Sequence, residues 1–201
     1  MIARHLRLMV VLVAALAATG CQNTKPPIQT LPPISFANQQ PIRLNVAELE
    51  VVSEYVPPGR APNYEHLMPV SPGAAIERWA VDRLKPVGPR GSGIARVTIK
   101  DARVIEVPLK TDKGVTGMFK KEQEARYDGS LQVVVEILDS RHLPVGADVL
   151  ASSSHTRTVP EGMTMNERDR VLYDLSETMA KDIDRQMGPL IRNYLGRWLV
   201  M

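Results

Sequence analysis

Cysteine occurs once in these 201 residues, at Cys21, so no disulfide can form within the chain and the fold must be held by an apolar core. Aromatic residues are scarce, at 4%, which excludes a base-stacking platform for single-stranded nucleic acid. A dominant charge is missing too. Lys and Arg number 25 against 22 Asp and Glu, and two of the basic residues, Arg4 and Arg7, belong to a leader described below. Without them the basic excess is a single residue, which gives no electrostatic footprint for nucleic acid. Nor is there an apolar run of the about 20 residues that a transmembrane helix needs; the longest, Leu8 to Ala18, has 11. What remains is an ordinary globular composition, 44% hydrophobic and 23% charged, in a length that suits one domain and not two large ones.

The short apolar run is informative for being short. Arg4, His5 and Arg7 precede it, and its small end, Ala17 and Ala18, continues into Thr19 and Gly20, so residues 1–20 have the three parts of an export signal: a positive start, an apolar middle and a small-residue cleavage site. Cys21 stands directly after Ala18-Thr19-Gly20. This stretch resembles the lipobox of bacterial lipoproteins. The resemblance implies that Cys21 becomes the first residue of the mature chain and carries a diacylglycerol thioether and an N-acyl group such as palmitate. The bland alternative is a free thiol behind an ordinary leader. One acyl chain binds a membrane marginally, whereas two or more hold it firmly. Gln22 follows where an inner-membrane retention signal has Asp, so the resemblance further implies the periplasmic face of the outer membrane.

Residues 21–40 read as a lipidated cysteine and tether, since Pro26, Pro27, Pro32 and Pro33 lie among Gln, Asn, Thr and Ser without apolar periodicity. At polyproline spacing of roughly 3.1 Å per residue they reach on the order of 60 Å. Residues 41–201 then read as one domain. Pro41 to Val56 alternates as a strand, with a change of phase near Ala47-Glu48 that a bulge would absorb. Ser71-Pro72 announces a helix carrying Ala75, Ile76, Trp79, Ala80 and Leu84, which Pro86 and Gly88 stop. Ile94 to Leu109 forms a second strand with a phase change near Asp101-Ala102. Tyr127 to Ile137 is the cleanest strand, with Tyr127, Leu131, Val133, Val135 and Ile137 on one side and Arg126, Asp128, Ser130, Gln132 and Glu136 on the other. Val145 to Thr158 makes a fourth, with Val145, Ala147, Val149 and Ala151 inward.

Thr164 to Glu167 has the pattern of a capping box. The stripe behind it runs from Leu172 through Leu175, Met179, Ile183, Met187, Leu190 and Ile191 to Tyr194 and Trp198, with Gly188-Pro189 predicting a kink or break. The order β-α-β-β-β-α gives an α+β fold, a two-layer sandwich in which a four-stranded, mainly antiparallel sheet carries both helices on one face. Together with the lipobox, this arrangement resembles the small envelope lipoproteins of Gram-negative bacteria, of the LPS-assembly or ABC-transport auxiliary type. The strand from Tyr127, the end of the next strand around Arg157 and the capped last helix carry most of that similarity. It implies a structural or auxiliary subunit of an outer-membrane assembly or lipid-transport system, with a membrane and an envelope protein as partners. The alternative is a periplasmic lipid- or ligand-binding module using the cleft between sheet and helices.

Catalytic chemistry has little sequence support. His66, His142 and His155 are isolated, without the spacing that aims two imidazoles at one metal, so neither a metal site nor a cofactor other than the lipid on Cys21 is expected. Ser152 to Ser154 beside His155 invites a nucleophile-and-base reading, but without a nucleophile elbow the segment reads as a polar strand end and no catalytic residue is assigned. Gly88, Gly91 and Gly93 precede a strand, whereas a phosphate loop follows one and opens a helix. Glu65 and His66, near Arg60 and Tyr64, lie in a long loop of a kind that can carry function, although a plain surface turn is the favoured reading. Met118 and Phe119, beside Lys120 and Lys121 in the connection between the second and third strands, have the chemistry of a tip that meets a partner or grazes a membrane; the alternative, of equal weight, is that Phe119 folds back onto the sheet edge.

Overall fold

The computed structural model describes residues 30–109 and 123–200. Alternation accounts for its first element: Ile42 and Leu44 are buried on either side of exposed Arg43, in β1 (Ile42–Leu44). The change of phase after Val46 is not absorbed by a bulge. The chain instead leaves one sheet and enters another, where β2 (Glu48–Ser53) begins. A Ser71 side chain accepting the Ala74 N–H and Pro72 at the first helical position start α1 (Pro72–Arg83). Directly behind it, β3 (Leu84–Pro86) pairs parallel to β1, Ile42 opposite Leu84.

β4 (Ile94–Asp101) pairs parallel to β2, which corrects the expectation of a mainly antiparallel four-stranded sheet. The reason is the crossover: a helix between two strands returns the chain in its original direction. Gly93 leads into β4 at φ +116°, where an added Cβ would lie 2.6 Å from the Leu138 carbonyl oxygen, so this entry requires glycine. The second expected strand is also two. Residues 102 and 103 leave the ladder between β4 and β5 (Val104–Pro108), and the Arg103 carbonyl accepts from the Ser130 N–H. β6 (Gln123–Leu138) is long enough to pair antiparallel with both along one edge, while β7 (Val149–Pro160) takes the other edge. The main sheet therefore has five strands and is mixed.

The fourth expected strand begins at Val149, not Val145. Val145 donates to the Ile137 carbonyl in the turn and Ala147 is exposed. The last helix, α2 (Met165–Tyr194), has the expected capping box, with Thr164 and Glu167 bonding reciprocally. It runs through Pro189 without a break. Pro189 and Arg185, whose carbonyl loses a donor there, both face solvent, where water can take the bond. Tyr194 is 61% exposed and leaves the apolar stripe; Leu195, fully buried, takes that place.

Both helices cover one face of the main sheet. Trp79 from α1 and Leu172, Leu175 and Met179 from α2 join Val97, Leu131, Val133 and Val135 in a single cluster with no exposed surface. Gly129 admits the Met179 thioether so closely that a Cβ there would meet its sulfur at 2.6 Å. Packing begins upstream of β1, because Ile34 and Phe36 are each only 4% exposed and belong to the same cluster.

Candidate functional site

Of the residues singled out from sequence, Cys21 and the group Met118, Phe119, Lys120 and Lys121 lie outside the described residues. Ser153 and His155 are brought together, but by a third residue that sequence reasoning missed. Strand alternation puts both on the side of β7 that faces α2, and α2 places Asp182 over them. Ser153 Oγ donates to Asp182 Oδ2 at 3.0 Å, and His155 Nε2 lies 2.5 Å from the same oxygen. Acyl transfer requires a different order, with the serine hydroxyl donating to the imidazole and the carboxylate on the other ring nitrogen. Here both groups converge on the carboxylate, a strand-to-helix clasp. Burial acts to raise the Asp182 pKa, but the bonds from His155 and Ser153 and the Arg185 charge outweigh it and hold the carboxyl below its usual range.

Glu65 and His66 separate completely. His66 is exposed on a 3-10 turn, Glu65–Leu67, whereas Glu65 is 2% exposed. Its carboxylate accepts the Tyr55 hydroxyl at 2.6 Å and the Val104 N–H at 3.1 Å, tying the loop to the start of β5. Burial, with the bond to Glu65, pushes the Tyr55 hydroxyl far above the ordinary tyrosine value. Next to it, Tyr64 packs edge-on against Tyr127 with ring centroids 4.9 Å apart, and Tyr127 donates to Glu106 at 2.7 Å. The Pro-rich loop is thus pinned to the sheet by carboxylate and ring contacts.

Two further acidic residues act at the helices. Asp184 accepts the Trp79 indole N–H at 2.8 Å and Arg83 Nε at 2.6 Å, joining α2 to α1. Asp82, in the last turn of α1, accepts Ser35 Oγ and the Phe36 N–H, each at 2.8 Å. Burial works against its charge, yet the bonds from Phe36, Ser35 and Arg78 depress its pKa. The sequence signal for these residues is slight: each is a lone acid whose clasping partner lies far away in the chain.

The solvent face of the main sheet carries a groove of about 630 Å³ where the register of β4 shifts between Ile99 and Asp101. Ser130, Gln132, Ser152 and Ser154 line it with Lys100 and Arg103. The charges there are paired, Lys100 with Glu54 at 2.7 Å and Arg103 with Asp101 at 3.4 Å. Such a surface offers hydrogen bonds rather than acid–base chemistry. Among the described residues, no group of three or more His, Cys, Asp or Glu is placed to hold a metal ion, and no helix is long and apolar enough to cross a membrane.

No family model matches the chain, and no curated protein matches it. Among solved structures it is similar to rare lipoprotein B from Shewanella oneidensis, at 15% identity and a TM-score of 0.35, over 73% of this chain and 95% of that one. It is also similar to an uncharacterized lipoprotein B from Nitrosomonas europaea, at 16% identity and a TM-score of 0.36, over 74% and 84% of the two chains. A third is a PelC dodecamer from Paraburkholderia phytofirmans, at 14% identity and a TM-score of 0.25, over 72% and 88%.

Proposed function

We propose that this chain is a non-enzymatic lipoprotein, anchored through acylated Cys21 to the periplasmic face of the outer membrane, whose α+β domain is a structural or auxiliary subunit of an envelope assembly or lipid-transport system. The observation that carries the proposal is the position of the chain's single cysteine, directly behind an 11-residue apolar run that ends in Ala17-Ala18 and is followed by Thr19 and Gly20. The geometry supports it from the other side. The conspicuous acidic side chains, Glu65, Asp82, Asp182 and Asp184, serve to clasp strands, loops and helices to one another. Met118 and Phe119, with Lys120 and Lys121, supply the contact to the protein partner.

The competing reading, a module that takes lipid between sheet and helices, must contend with an interface already filled. Trp79, Leu172, Leu175 and Met179 have no exposure there, and a guest would have to displace core side chains worth about 1.5–3 kcal/mol each. The discriminating experiment is purification of the intact lipoprotein from membranes in mild detergent. A stoichiometric envelope protein that is lost on Met118→Ser with Phe119→Ser, at unchanged melting temperature, supports the proposal. A co-purifying lipid in place of a protein favours the module.

A further inference from the structure

The segment ahead of β1 is fixed to the fold at a defined place. Ser35 and Phe36 bond Asp82 in the last turn of α1, so only thirteen residues, Gln22 to Ile34, separate the cysteine from a fixed point on the domain. Fully extended they span at most roughly 50 Å.

Near Asp82 lies a surface of cations and valines. Arg43 on β1 and Lys85 on β3 are neighbours in register and point away from the core, opposite buried Ile42, Leu44 and Leu84. Among the described residues neither has a carboxylate partner; Lys85 Nζ donates only to the Val81 carbonyl, at 2.5 Å. Three valines flank the two cations: Val81 at 52% exposure, Val87 at 49% and Val200 at 41%. Val87 lies two residues beyond Lys85 and donates to Leu44, continuing the ladder on the same face, while Val200 donates to Arg43. Unpaired cations among exposed aliphatic side chains are what a protein presents to an anionic bilayer surface: the charges meet headgroups and the valines reach the acyl boundary.

We infer that this patch, Arg43, Lys85, Val81, Val87 and Val200, rests on the surface of an anionic lipid bilayer and orients the tethered domain on it. The inference rests on the proposed anchoring at Cys21. It adds that the domain lies with the C-terminal end of α1 toward the lipid and the solvent face of the main sheet turned away.

The test uses the full acylated chain in vesicles, with a thiol-reactive environment-sensitive dye at Val87→Cys or, for comparison, at Ser154→Cys on the solvent face of β7. Acylated Cys21 has no free thiol, so each variant takes one label. In vesicles of phosphatidylcholine with phosphatidylglycerol, lipid-borne quenchers should quench the Val87 dye at least twofold more than the Ser154 dye. The difference should vanish in phosphatidylcholine alone, in salt near 1 M, where the screening length is about 3 Å, and in the Arg43→Glu, Lys85→Glu variant. Equal quenching at both positions, a difference that survives charge reversal, or a dye at Val87 shielded only when envelope proteins are present would overturn the inference. The intact mass of the same preparation reports separately on acylation. If Cys21 proves unmodified, the anchoring has failed, and the same dye comparison on added vesicles, made in a Cys21→Ser background so that each variant still takes one label, decides the patch.

Discussion

His155 Nε2 and Asp182 Oδ2 lie 2.5 Å apart across the boundary between β7 and α2, and the same carboxylate oxygen takes the hydroxyl of buried Ser153. A shared carboxylate of this kind fastens a helix to an outer strand. Asp182→Ala leaves the Ser153 hydroxyl buried without its acceptor, so the variant should lose about 1–3 kcal/mol of stability in urea unfolding. His155→Gln should lose less, since the ring is partly open to water. Neither change should alter the retention of a partner.

Glu65 is the most deeply buried of the acids that hold the structure together. Glu65→Ala takes the acceptor from both the Tyr55 O–H, whose oxygen keeps its bond from Asn63, and the Val104 N–H; hydrogen bonds to charged groups are worth about 1.5–3 kcal/mol each, and the two share one carboxylate. A loss of about 2–4 kcal/mol is expected by denaturant unfolding, with earlier proteolysis of the Pro-rich loop. Wild-type stability in this variant would show that the loop is held by Tyr64 and Tyr127 instead.

Acid should release the segment ahead of β1. The Asp82 carboxyl is depressed in the folded state, so the unfolded chain takes up this proton at higher pH than the native one. Its contribution is complete above the ordinary aspartate value of about 3.9 and is lost as pH falls through the lower native value. Asp182 is depressed in the same sense. Asp82→Asn should therefore flatten the acid limb of a stability-against-pH curve, and at neutral pH it should speed cleavage within residues 30–40. A curve parallel to the wild type would place the linkage elsewhere.

The shared core gives a control for packing. Leu175→Ala removes a fully buried side chain from the cluster between helices and sheet, and about 2–5 kcal/mol should be lost. Val135→Ala should cost less because it deletes fewer atoms.

Local chemistry made much of this architecture readable. Ser71-Pro72 and the Thr164–Glu167 box mark the helix starts, and the strict alternation from Tyr127 to Ile137 marks the central strand and its inner face. Pairing was less visible. The parallel match of β2 with β4 was implied by the helix between them, but the phase change at Ala47 looks the same in sequence whether the strand bulges or changes sheet. Pro189 failed as a stop because its position faces solvent, which periodicity alone did not weigh. Asp182 was illegible from sequence for a plainer reason: it is 29 residues from Ser153, and only the fold brings them together.

The anchor itself is tested most directly by the intact mass of the protein extracted from membranes. Anchoring through Cys21 predicts a chain that begins at this residue and carries a diacylglycerol and an N-acyl group, incorporates labelled palmitate, and appears in the soluble fraction or unprocessed and unlabelled when Cys21 is changed to Ser. An unmodified Cys21 thiol in the mature protein, or palmitate incorporated equally by the Cys21→Ser variant, would contradict it.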